Sequence, residues 1–147
     1  MDWYLTHIDE IEATAAKDGA SSLEAMPWFE ANVAWVAIKA GRNDMGDLIE
    51  KFTLSALTSR PEAPEMKGTR GAWLIENGEY HSGLALLTEA VRSVVDPIDK
   101  ADFCHFLSRG WKALSDEARS DGYRQLRRHL IGNDRDRVNH PAQQIMG

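Results

Sequence analysis

The sequence predicts an all-α fold: a single compact domain of about six or seven helices packed around a buried central one. Three observations carry that expectation. Apolar residues recur at spacings of three and four along most of the 147 residues. Strict alternation of apolar and polar residues, the mark of a half-buried strand, is absent over any useful length. One stretch, PWFEANVAWVAIKA from Pro27 to Ala40, is interrupted only by Glu30, Asn32 and Lys39. A helix that is apolar nearly all round lies inside a protein, so residues 26–40 are the expected central helix, with Trp28 and Trp35 as its bulkiest parts.

Each element has its own signals. A first helix is expected over about residues 2–17, with Leu5, Ile8, Ile11, Ala15 and Ala16 on one face and Asp9, Glu10 and Glu12 on the other; Gly19 is its stop. Ser21 and Glu24 have the spacing of a capping box. Pro27 suits a first turn, so the central helix starts near Ser22 or near Met26. Gly41 ends it. Asn43 or Asp44 caps a third helix, with Asp47 in its first turn and Met45, Leu48, Ile49, Phe52 and Ala56 at helical spacing. Two prolines and a loss of periodicity make residues 58–68 the main internal loop. Thr69 caps a short helix through Trp73 and Ile75 to Asn77, with Gly78 as the stop.

Ser82 opens the next helix, carrying Leu84, Leu87, Val91, Val94 and Val95, and Asp96-Pro97 breaks it. Asp99 caps a helix that buries Phe103, Phe106, Leu107, Trp111 and Leu114; Gly110 lies inside that pattern and weakens it. The last helix starts either at Ser115-Asp116-Glu117, a cap and an acidic first turn, or after a turn at Ser120-Asp121-Gly122. In both cases Tyr123, Leu126, Leu130 and Ile131 face inward and Gly132 ends the helix. The globular domain is therefore expected over residues 1–132, with residues 133–147 as a polar tail.

The run from Glu76 to Pro97, through Gly78, Tyr80, Gly83, Leu84, Leu87 and Ala90, resembles the second half of a tetratricopeptide repeat over about 20 residues. The Trp–Leu–Gly–Tyr series expected upstream does not line up with Trp73, and no second copy follows at the repeat's period. The resemblance implies a helical hairpin built by the same packing logic.

Composition narrows the class. With 43% hydrophobic and 27% charged residues, the chain is globular rather than disordered. The five Trp are read chiefly as core, with one exposed Trp as the alternative anchor for a partner. A single cysteine, Cys104, excludes a disulfide framework and a four-Cys zinc site. The N-terminus has no basic n-region and no apolar h-region, and no apolar run reaches the length of a membrane span, so a cytoplasmic location and no membrane partner are expected. The net charge of −6 is segregated. Residues 1–66 hold 12 acidic against 5 basic side chains, and residues 119–147 hold 6 basic against 3 acidic.

No catalytic, cofactor-binding or metal motif stands out. Adjacent helical residues point about 100° apart, so Cys104 and His105 do not form a dyad by adjacency, and Cys104 reads as a small buried hydrophobe. Asp96, Asp99 and Asp102 lack EF-hand spacing. His7, His81, His105, His129 and His140 are dispersed, and HExxH is absent. Glycine-rich phosphate loops are absent; GRNDMG at residues 41–46 lacks the lysine. The basic end is the remaining cluster: Arg119, Arg124, Arg127, Arg128, His129, Arg135 and Arg137. Arg124, Arg127 and Arg128 share a helix face by i, i+3 and i+4 spacing.

The function expected from these features is a small non-enzymatic interaction protein of inhibitor, immunity, anti-defence or adaptor type, binding a charge-complementary protein. Its expected contacts are Asp9, Glu10 and Glu12, or Arg124, Arg127 and Arg128. A second copy of the chain is an alternative partner. Two other classes stay open. One is a nucleic-acid-binding regulator, in which Ser120-Asp121-Gly122 is the turn of a helix-turn-helix before YRQLRRHL. The other is an enzyme whose site is assembled from distant residues.

Overall fold

The computed structural model describes the backbone of residues 20–139 and the side chains of residues 26–132. The expected first helix, with Asp9, Glu10 and Glu12, and residues 140–147 lie outside the described residues. Among those described, every regular element is helical: α1 (Ala20–Lys39), a 3₁₀ turn (Asn43–Met45), α2 (Gly46–Ser59), α3 (Pro64–Glu76), α4 (Tyr80–Ser93), α5 (Pro97–Ala113) and α6 (Glu117–Asn139). This is the all-α domain that the periodicity predicts.

Helix α1 buries Ala31, Val33, Ala34, Ala37 and Ile38. It begins ahead of both expected starts, so Pro27 stands in its interior, not its first turn. Two of its polar interruptions are used in packing. Glu30 is buried and accepts a hydrogen bond from Ser55 Oγ of α2 at 3.0 Å. Lys39 pairs with Asp102 of α5 at 2.9 Å. Trp35 packs edge-on against Phe103, with ring centroids 5.6 Å apart, whereas Trp28 is 41% exposed.

Helix α3 touches α1, α2, α4 and α5. The loop expected over residues 58–68 shrinks to residues 60–63, because Pro64 opens α3. Proline breaks a helix interior but suits position N1, where its missing N–H is not needed. Thr69 is therefore interior, not a cap; its hydroxyl donates to the Glu65 carbonyl at 2.8 Å. Against α4 the packing is backbone to backbone: a Cβ on Gly83 would stand 2.8 Å from the Gly71 carbonyl oxygen. Gly78, at φ +84°, turns the chain between them, completing the expected hairpin. Gly110 serves the same end, admitting Ile75 and Leu84 against α5 instead of weakening the helix.

Several boundaries move for local reasons. Helix α4 starts at Tyr80, not Ser82. Asp96, not Asp99, caps α5: its carboxylate accepts from the Ile98 and Asp99 amides, with Pro97 at N1. Asp116 plays the equivalent part before α6, accepting from the Arg119 amide at 3.0 Å, while Ser115 sits at φ 62° in the preceding turn. Residues 120–122 are helical, so the turn expected there does not exist. Gly132 does not end α6, and residues 133–139 of the expected tail are helical. Leu126, expected inside, is 40% exposed.

One polar cluster ties α2 to α3. Arg70 donates to both oxygens of Glu50, at 2.7 and 3.0 Å, and Trp73 Nε1 donates to the same carboxylate at 2.5 Å. The Arg70 guanidinium, helped by the Trp73 N–H against some loss of water, holds the Glu50 carboxyl below its usual range. No described helix is long and apolar enough to cross a membrane.

Candidate anion-binding cleft

Residues 114–116 are the only link between α5 and α6. So short a connection makes the helices antiparallel neighbours, and they pack along each other. Their seam is polar at one point. The hydroxyls of Ser108 and Ser120 lie 3.0 Å apart, and Ser120 Oγ donates to the Ser108 carbonyl at 2.9 Å.

Beside this seam lies a cleft of about 400 Å³, lined by His105, Ser108, Arg109 and Lys112 of α5 and by Arg124, Arg127 and Arg128 of α6. The α5 residues follow i, i+3, i+4 and i+7, which places them on one face. The arginine face expected on the last helix thus meets a second basic stripe. Arg109 and Lys112 escaped the sequence reading because they sit in a segment whose total charge is slightly acidic. Their common helical face with His105 was the signal that would have found them.

The cations are not equivalent. Arg109 grips Glu76 through two hydrogen bonds, Nε to Oε1 at 2.8 Å and Nη2 to Oε2 at 3.0 Å. Arg124 pairs with Asp121 at 3.0 Å. Lys112, Arg127 and Arg128 have no ion pair or hydrogen bond among the described residues, and Arg127 Nε is shielded from solvent without an acceptor. Among the described residues, three positive charges therefore share one concavity with no carboxylate paired to them. Their mutual repulsion favours uptake of an anion.

His105 reports the same field. Its outer edge is exposed, yet crowding strips water from the ring, and this lowers its pKa first. Arg127 and Arg109 push it further down, opposed by Glu76 and Asp102. Loss of water and the two arginines each disfavour the imidazolium form. The ring has no hydrogen-bonded carboxylate to orient it among the described residues.

The remaining candidates separate from this site. Cys104 is fully buried, and burial pushes its thiol up to about 11, against the pull of Lys100 and Arg127. It is a packing residue, not a partner of His105. Asp96 caps α5 and Asp102 pairs with Lys39, which leaves Asp99; loss of water and then the neighbouring Asp96, Asp102 and Glu65 raise its pKa. No three His, Cys, Asp or Glu side chains among the described residues are grouped to hold a metal ion. Arg119 turns away from the cleft, stacking over Trp111 at 4.7 Å and pairing with Asp116. A second concavity, about 500 Å³ along Phe29, Asn32, Val33, Trp35 and Val36 of α1, carries no titratable group among the described residues.

Set against protein families, curated proteins and solved structures, the chain matches none of them.

Proposed function

We propose that the chain is a binding protein that takes a negatively charged segment of another protein into the α5–α6 cleft, in the manner of an inhibitor or adaptor. The observation that supports this reading is the unpaired trio Lys112, Arg127 and Arg128, set beside two arginines already oriented by carboxylates. A preformed cluster of one sign steers and orients a partner of the other. The arrangement favours binding over catalysis, because His105 has no orienting partner among the described residues and Cys104 is buried with a raised pKa. It favours a protein over nucleic acid because, among the described residues, no Phe, Tyr or Trp lines the cleft to stack a base, and the chain carries a net charge of −6.

Calorimetric titration with an Asp- and Glu-rich peptide, at low and at moderate salt, tests the reading. Binding that weakens with salt and disappears in the Lys112→Gln, Arg127→Gln, Arg128→Gln triple variant is expected. Random duplex DNA or RNA binding more tightly than the peptide, and lost in the same variant, would transfer the cleft to nucleic acid. No binding of either by the folded wild-type chain would overturn the reading.

A further inference from the structure

We propose that the group the cleft selects is a phosphomonoester, the dianion carried by a phosphorylated side chain; this rests on the reading that the cleft is the partner site.

Charge is the first reason. One carboxylate cancels one of the three uncompensated cations. A phosphomonoester carries about −1.5 to −2 at neutral pH and offers three acceptor oxygens from a single centre. It neutralises most of the surplus without a second acidic group entering the cleft.

The rim is the second reason. Glu76 and Asp121 do not line the cleft but are ion-paired to two residues that do, Arg109 and Arg124, which sets them at its rim. Both make a run of carboxylates or a continuous polyanion laid across the site a weaker ligand than one compact charge, without excluding it. A compact, doubly charged group seated among Lys112, Arg127 and Arg128 places its charge away from them. The acidic rim thus works against spread charge and for concentrated charge.

Donor geometry is the third. Arg127 and Arg128 bring planar guanidinium forks from α6, and Lys112 brings an ammonium from the facing α5. Arg109 commits Nε and Nη2 to Glu76 and keeps Nη1 uncommitted. Donors converging from two helices suit a tetrahedral anion better than a planar one, which two parallel N–H groups already satisfy. A cleft of about 400 Å³ also admits the residues flanking a phosphorylated side chain.

The test uses the full chain and four probes at matched ionic strength: a phosphoserine peptide, the same peptide with Glu at that position, inorganic phosphate, and a nucleoside monophosphate. The expected result is that the phosphoserine peptide binds at least about tenfold more tightly than its Glu counterpart, since one charge and one oxygen separate them. That preference is expected to vanish in the Lys112→Gln, Arg128→Gln double variant. Both side chains are exposed, so a melting curve matching wild type is expected and shows the fold is kept; Arg127→Gln is then added separately. Inorganic phosphate or the nucleotide binding as tightly as the peptide keeps the phosphate chemistry and makes a small phosphate its source. Equal binding of the phosphoserine and Glu peptides overturns the phosphate inference and leaves the interaction reading standing. Binding of neither peptide removes both.

Discussion

Ser108 and Ser120 form a buried hydroxyl pair, 3.0 Å apart, at the seam on which the basic cleft rests. Ser120 has no exposed surface, and its hydroxyl also reaches the Ser108 carbonyl. The pair joins α5 to α6 at one point of their contact, and the register of the two helices decides which cations face one another. Ser120→Ala removes the hydroxyl and leaves Ser108 short of a partner in a buried position. The expected loss is about 1–2 kcal/mol, read as a lower urea midpoint with unchanged slope. An unaltered midpoint would show that the pair contributes nothing to the seam.

The approach of α3 to α4 supplies a paired expectation. A Cβ on Gly83 would meet the Gly71 carbonyl oxygen at 2.8 Å and Ile75 Cδ1 at 2.9 Å, and backbone does not yield cheaply. Gly83→Ala should therefore destabilise by about 1–3 kcal/mol despite the better helix propensity of alanine. Gly122, inside α6, has nothing within 4 Å of its Cβ position. Gly122→Ala should stabilise by about 0.5–1 kcal/mol, because there only the entropy of the unfolded chain changes. Thermal melts of the two variants should move in opposite directions.

These glycines also mark what a sequence can and cannot disclose. The helices themselves were legible, because Ile49, Phe52 and Ala56, or Phe103, Phe106 and Leu107, repeat at helical spacing and are all buried. Boundaries were less so. Pro64 and Pro97 read as breakers, yet each occupies the first position of a helix, where proline is at home. Gly110 and Gly132 read as interruptions; one permits a close helix approach and the other simply continues α6. Half of the cleft was legible too. Arg124, Arg127 and Arg128 share a face that spacing alone reveals. Their meeting with Arg109 and Lys112 depends on how two helices pack, which periodicity within one helix does not encode.

Glu50 gives the fold a dependence on acid. Its folded pKa lies below the ordinary value near 4.5, chiefly through Arg70. A depressed carboxylate contributes stability that is fully present above the unfolded pKa and is lost as pH falls through the folded one. Glu50→Gln should cost about 1–3 kcal/mol at pH 7, since it removes the charge from the hydrogen bonds of Arg70 and Trp73 and leaves the mostly covered Arg70 with neutral acceptors only, Thr53 Oγ1 among them. Urea melts at pH 7 and pH 3 should show the gap between variant and wild type closing at the lower pH. A gap of constant size would mean that the charge of Glu50 plays no part.

The cleft should carry its own pH dependence through His105. Arg127 of α6 and Arg109 of α5 face this ring and disfavour its protonation, after loss of water, while Glu76 of α3 and Asp102 of α5 oppose them weakly. An anion among the same arginines offsets their field, so the bound state must favour the imidazolium more than the free state does. Linkage then requires proton uptake on binding, and affinity that rises as pH falls from above the bound-state pKa toward the free-state one. Sulfate is the suitable probe, because its own charge stays constant across that range. Resonances of His105, followed from pH 8 to pH 5 with and without sulfate, should titrate at a higher pKa in its presence. His105→Gln should abolish the part of the pH dependence that lies in this window while retaining binding at pH 8. A pKa for His105 that sulfate leaves unmoved would place the anion away from Arg127 and Arg109, and so outside the cleft.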